Sequence, residues 1–204
     1  MIEMLEERDT QKKPRKYPKG KIVLGICLVG LILVAYGTWQ YYAQLFPSTD
    51  GTDNNPPVTG SAPNFELADI NGTTFSLNQF AGRVIVINFM FVSCGGMNST
   101  NENNLRSLKS MCATYCGKRP ITIITVAATT CTGGWLLKIR ADYGVTWLYG
   151  NDYADGKADV FNAYRDYDIG DGTIIIIDKN LNVAYVFNEE TTFETLSSLV
   201  SQLL

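Results

Sequence analysis

The chain has 204 residues, with 17 Lys+Arg against 20 Asp+Glu and no histidine. The near-neutral balance argues against nucleic acid as a partner, because phosphate binding needs a clustered basic surface. Without histidine there is no Ser-His-Asp or Cys-His hydrolase and no imidazole metal ligand, so any transition-metal site must use sulfur or oxygen.

The first feature in chain order is a membrane signal. Ile22 to Trp39 carry no charge and are mostly apolar. Eighteen residues at about 1.5 Å rise span about 27 Å, enough for one crossing. Arg8, Lys12, Lys13, Arg15, Lys16, Lys19 and Lys21 precede the run, and Trp39 at its end with Tyr41 and Tyr42 after it form an aromatic belt. The positive-inside rule then predicts a basic cytoplasmic tail at 1–21, a single-pass anchor at 22–42 in the cell membrane, and everything after Phe46 outside. A cleaved signal peptide is the rival reading. The long, acid-containing stretch before the run and the lack of a small-x-small site after it favour an uncleaved anchor.

Residues 43–61 read as a flexible linker. The stretch from Pro47 to Ser61 is rich in Pro, Gly, Asn, Asp and Thr and cannot bury enough apolar surface to fold. Residues 62–204, about 140 in number, are one domain by size.

Within that domain, Phe65 to Asp69 and Thr73 to Leu77 flank Asn71-Gly72 and predict a hairpin. Arg83 to Phe91 predicts a buried strand. Ser99-x-x-Glu102 reads as a capping box, followed by Leu105, Leu108, Cys112 and Tyr115 at helical spacing and by Gly117 as a stop. Ile121 to Ala128 predicts a second buried strand. Trp135, Leu136, Ile139 and Tyr143 form a helical stripe ended by Gly144. Val160, Phe161 and Tyr164 suggest a third helix. Thr173 to Ile177 and Asn182 to Phe187 predict two strands joined by a turn at 178–181, and Phe193 to Leu204 a terminal amphipathic helix. The order predicts an α/β domain with a mixed sheet and helices on both faces. Ligands in such sheets sit beyond the carboxyl ends of the parallel strands, where Cys94 and Cys131 both fall.

Four cysteines follow the anchor, Cys94, Cys112, Cys116 and Cys131, and Cys27 lies within it. An even set in an oxidising compartment allows three pairings. Adjacent parallel strands end side by side, so Cys94 and Cys131 are candidates for a bridge, which needs Cα atoms roughly 4.4–6.8 Å apart. The plainer reading of Cys131 is a small buried residue opening its helix. Cys112 and Cys116 share a helix face at i,i+4 and pair only where the last turn frays. Cys94 beside a helix N-terminus, with Gly95 and Gly96 letting backbone N–H groups approach, is a candidate nucleophile; a partly buried idle thiol is the alternative. Met97 with Cys94 offers soft ligands for Cu(I), though methionine often only fills space. Asn71-Gly72-Thr73 and Asn98-Ser99-Thr100 are N-glycosylation triplets.

APNFELADINGTTFSLNQFAGRVIVINF (62–89), the segment ending at Cys94, and GTIIIIDKNLNVAYVF (172–187) resemble the redoxin branch of the thioredoxin superfamily. That branch includes membrane-anchored thiol-disulfide oxidoreductases, peroxiredoxins and Sco-like copper chaperones. The resemblance covers nearly the whole outer domain and implies a thioredoxin-like fold with Cys94 as nucleophile. The CxxC motif is degenerate: Met97 stands where the resolving cysteine belongs, and Gly172 where the cis-proline belongs. The Sco pattern lacks its second cysteine, at Asn98, and its histidine. The peroxiredoxin pattern lacks its Pro and Thr, at Met90 and Phe91. Three functions are therefore carried forward. One is an oxidoreductase acting on protein thiols and disulfides through Cys94 and Cys131. The second is Cu(I) handling through Cys94 and Met97. The third is a catalytically silent accessory subunit of a membrane complex.

Overall fold

The structure, a computed structural model, describes residues 60–131 and 134–204, all within the second of the chain's two units, Gly51–Leu204. The anchor read at 22–42 and its basic tail lie outside the described residues. Among the described residues no helix is long and apolar enough to cross a membrane.

The strands are β1 (Gly60–Ser61), β2 (Glu66–Ala68), β3 (Thr74–Ser76), β4 (Val84–Phe91), β5 (Ile121–Ala128), β6 (Leu148–Asn151), β7 (Ile174–Ile177) and β8 (Asn182–Phe187). The helices are α1 (Ser99–Tyr115), α2 (Gly134–Tyr143), α3 (Asp159–Ala163) and α4 (Phe193–Leu203). One six-stranded sheet has the order β1-β8-β7-β4-β5-β6, and β2 and β3 form a separate hairpin. Strands β4, β5 and β6 are parallel; β7 and β8 close the sheet antiparallel.

Strand β4 is buried from Val84 to Met90 because both of its faces are covered. Val84, Val86 and Met90 point into one core, against Leu105, Leu108 and Met111 of α1, Ile139 of α2 and Val200 of α4. Ile85, Ile87 and Phe89 point into the other, against Phe65 and Phe75 of the hairpin and Val160, Phe161 and Tyr164 around α3. Each fully buried side chain of this kind stabilises the fold by roughly 1.5–3 kcal/mol. The result is a mixed sheet with helices on both faces, as the order of elements predicts.

Four details differ from the sequence reading. The sheet begins at Gly60–Ser61, paired with Val183 and Asn182, so the last two residues assigned to the linker are strand. The cap of α1 is Asn98 rather than Ser99: its side chain accepts from the Asn101 N–H. The helix at Val160 and Phe161 is one short turn, followed by a 3-10 turn at Arg165–Tyr167. Strand β6 was not anticipated. It pairs with β5 and meets the hairpin through the Ile70 N–H, which donates to the Tyr149 carbonyl at 2.8 Å.

Candidate active site

Two loops leave the carboxyl ends of neighbouring parallel strands and bring two cysteines together. The first loop, 92–98, joins β4 to α1; the second begins after Ala128 of β5. Cys94 and Cys131 are joined by a disulfide, with Cα atoms 5.5 Å apart. The direct pairing of β4 with β5, Phe91 opposite Ala128, makes this reach short. Cys94 is exposed and Cys131 is only 9% exposed.

Cys94 sits in a tight turn of its own. The Gly96 N–H donates to the Ser93 carbonyl at 3.1 Å, and the Ser93 hydroxyl donates to the Gly96 carbonyl at 2.8 Å. Gly96 has φ +130, a conformation that L side chains rarely adopt. The turn ends before the Asn98 cap, so Cys94 lies four residues ahead of it. Helix-terminus stabilisation of a thiolate falls off within the first turn, and the Asn101 N–H is already taken by Asn98. The sequence expectation of Cys94 poised on a helix N-terminus is corrected accordingly.

The two loops are tied together behind the sulfurs. The Val92 N–H donates to the Ala128 carbonyl at 3.1 Å. The Thr129 hydroxyl donates to the Val92 carbonyl at 2.7 Å and accepts from the Cys131 N–H at 3.1 Å. Asn151, at the end of β6, clamps the Thr129 backbone: its side-chain oxygen accepts from the Thr129 N–H and its amide donates to the Thr129 carbonyl, both at 3.2 Å. Sequence reasoning missed Thr129 and Asn151, because only the unanticipated β6 brings them together.

A third loop closes the site from the β7 side. Asp171 accepts from the Phe91 N–H at 2.7 Å, from the Asn98 amide at 2.8 Å and from the Asn101 amide at 2.6 Å. Gly172 has φ +89, donates to the Phe89 carbonyl at 3.0 Å and accepts from the buried Asn104 amide at 2.8 Å. A proline has φ near −65° and no N–H, so this backbone cannot hold one. At the end of β4, Phe91 is 47% exposed and packs at a tilt on Phe161, ring centroids 4.8 Å apart.

The remaining predicted residues fall as follows. Met97 packs partly buried against the core beneath α1. A Cu(I) site using Cys94 and Met97 would require the disulfide to be reduced first, since a thiolate is the ligand. Among the described residues no group of three or more Cys, Asp or Glu is placed to hold a metal. Cys112 and Cys116 form a second disulfide at the far end of α1, Cα atoms 4.7 Å apart, where Cys116 has left the helix with ψ 132. Asn71 lies in the hairpin turn, its amide donating to Asp69 and its oxygen accepting from Arg140.

A central mixed sheet with three helices on one face, and a disulfide-bonded cysteine pair beyond the parallel strands, make up a thioredoxin-like fold. Solved structures agree on the fold. A thioredoxin-family thiol:disulfide interchange protein from Chlorobium tepidum superposes with a TM-score of 0.59 at 16% identity, covering 75% of this chain and 99% of its own. The thioredoxin domain of a thiol-disulfide oxidoreductase from Bacteroides vulgatus gives 0.56 at 22% identity, covering 70% and 98%. A secreted disulfide oxidoreductase from Mycobacterium tuberculosis gives 0.55 at 18% identity, covering 68% and 96%. No protein-family model matches the chain, and no curated protein matches it.

Proposed function

We propose that this domain is a thiol-disulfide oxidoreductase in which Cys94 exchanges with protein substrates and Cys131 resolves the exchange. The observation that carries the reading is the Cys94–Cys131 disulfide, with Cys94 exposed and Cys131 buried. A substrate thiolate can reach only Cys94. Its attack forms a mixed disulfide at Cys94 and expels Cys131 as a thiolate. A second substrate thiol then attacks the mixed disulfide and releases Cys94. Two electrons and two protons pass from the substrate dithiol to the protein, and the reverse sequence reduces a substrate disulfide. Exposed Phe91, three residues before Cys94, offers apolar surface at the end of the same strand.

The same proposal places the domain outside the cytoplasm on a single-pass anchor at 22–42. Its support is the charge asymmetry around the apolar run and the two disulfides of the domain. Asn71 and Asn98 are exposed glycan acceptors in such a compartment, and a glycan on either would replace an amide hydrogen bond, to Asp69 or to Asp171.

The test uses the full chain, reduced and then mixed with oxidised glutathione. Wild type should pass through a short-lived glutathione adduct on Cys94 to the closed disulfide. Cys131→Ser should accumulate the adduct, and Cys94→Ser should react far more slowly. If Cys94→Ser consumes glutathione disulfide as fast as wild type, the oxidoreductase reading fails. The accessory-subunit reading then replaces it.

A further inference from the structure

Resting on the reading that Cys94 and Cys131 exchange, we infer that Thr129 is the positioning residue that holds the resolving Cys131 against Cys94, independently of the sulfur–sulfur bond. The Thr129 hydroxyl lies two residues from Cys131 in its own loop and bonds the carbonyl of Val92, two residues from Cys94 in the other. It accepts from the Cys131 N–H with its lone pair while it donates to Val92. One hydroxyl therefore pins both cysteine segments, as its donor and acceptor capacity allows.

These contacts use main-chain atoms and a hydroxyl, and none uses sulfur. They have no reason to break when the disulfide opens. Thr129 is 5% exposed and Val92 is 5% exposed, so the bonds are shielded from water, and losing the hydroxyl would leave the Val92 carbonyl and the Cys131 N–H without that partner. The Thr129 backbone is fixed in turn by the two hydrogen bonds to Asn151. In a CxxC site the second thiol stays close because it lies on the same helical turn. Here the thiols are 37 residues apart in sequence. The Val92–Thr129–Cys131 link supplies the proximity that the missing CxxC would give, which is an effective-concentration effect on ring closure.

The chemical step is closure. In the mixed disulfide between glutathione and Cys94, the Cys131 thiolate attacks the Cys94 sulfur, the Cys94–Cys131 bond forms, and glutathione leaves as a thiolate that takes up the proton Cys131 lost. Electrons balance within the exchange and no further oxidant is needed.

The test measures closure in the full chain after charging reduced Cys94 with glutathione, by acid quenching and peptide-resolved mass spectrometry that reads Cys94 and Cys131 separately from the other cysteines. Thr129→Val keeps the volume and removes the hydroxyl. It should slow closure about tenfold or more, since both hydrogen bonds of the hydroxyl are lost, and lower the equilibrium constant for closure in a glutathione buffer by a similar factor. Thr129→Ser restores the hydroxyl and should close within about twofold of wild type. The first step, attack of Cys94 on oxidised glutathione, should be unchanged in both, and both should keep the wild-type circular dichroism and a cooperative urea transition, which a general loss of structure would not permit. If Thr129→Val does not fold, Thr129→Ala set against Thr129→Ser isolates the same hydroxyl. The inference is overturned if the hydroxyl-free variant closes as fast as wild type, or if Thr129→Ser is as slow as the hydroxyl-free variant. A Cys131→Ser chain that clears glutathione from Cys94 as fast as wild type would instead overturn the underlying assignment of Cys131, whatever Thr129 does.

Discussion

Gly172 and Asp152 each carry a consequence that follows from a single side chain. A β-carbon on Gly172 would lie 2.7 Å from Thr100 Cγ2, on a backbone at φ +89. Gly172→Ala should therefore destabilise the domain by about 1–3 kcal/mol, read as a lower urea midpoint. Gly172→Pro should cost more, because it also removes the N–H that donates to Phe89. An unchanged midpoint for either variant would show that the loop has another conformation. At Asp152, burial pushes the carboxyl above its ordinary 3.8, against the Phe161 and Val160 N–H groups that hold it down, and nearby Asp159 and Asp155 push it further up. The folded state thus binds that proton more tightly than the unfolded chain. Its contribution is fully present below pH 3.8 and is lost as pH rises through the elevated folded value. Relative to Asp152→Asn, wild type should lose stability as pH climbs from below 3.8 to neutral, which paired denaturant titrations would register; a pH-independent difference would contradict it.

At the scale of elements, α1 is held at its start by a cap that does two things. Asn98 accepts from the Asn101 N–H and donates to Asp171, so it joins the helix to the loop after α3. Asn98→Ala should cost about 1 kcal/mol for the cap alone, and Asn98→Ser should recover most of that while leaving Asp171 one donor short. Thermal unfolding of the two variants separates the roles, and equal losses would mean that the Asp171 contact dominates. The apolar runs of β4, β5 and β7 were legible in the sequence because burial on both faces writes them as nearly unbroken apolar stretches, and β8 was legible from its Val, Tyr and Phe beyond the Asp178–Leu181 turn. The start of α1 was legible to within one residue, since Asn98 and Ser99 are both good caps. Strand β6 was not, because Leu148-Tyr149-Gly150-Asn151 contains two residues that ordinarily mark loops. Gly150 is there for packing: a β-carbon would meet the Ala68 carbonyl at 2.5 Å where the hairpin crosses the strand. With β6 unseen, Asn151 and its hold on Thr129 were out of reach, whereas the two cysteines were legible from the strand ends alone.

For the whole molecule, the question is where the folded unit starts. Among the described residues, its two cores are lined by buried side chains from Ala62 to Val200. Residues 60–63 are fastened to β8 and to the tyrosines after α3, the Tyr167 hydroxyl donating to the Ser61 carbonyl at 3.3 Å. Gly60 and Ser61 pair with Val183 and Asn182, the Ala62 N–H donates to the Leu181 carbonyl, and the Tyr164 hydroxyl donates to the Pro63 carbonyl at 2.9 Å. Tyr164 is fully buried, burial pushes its hydroxyl well above the usual tyrosine range, and Pro63 is the acceptor that satisfies it. A fragment of residues 51–204 should therefore fold without the apolar run, with mixed α/β circular dichroism and a cooperative transition. A fragment beginning at Asn64 should keep the same spectrum but lose about 2–4 kcal/mol, since it gives up the β1–β8 pairing, the Ala62 and Tyr167 hydrogen bonds, and the acceptor of the Tyr164 hydroxyl. Denaturant unfolding of both fragments decides the matter. If the longer fragment is unfolded, the domain depends on residues 1–50. If the shorter one is as stable as the longer, the edge pairing of β1 contributes nothing, and the domain starts where the linker was read to end.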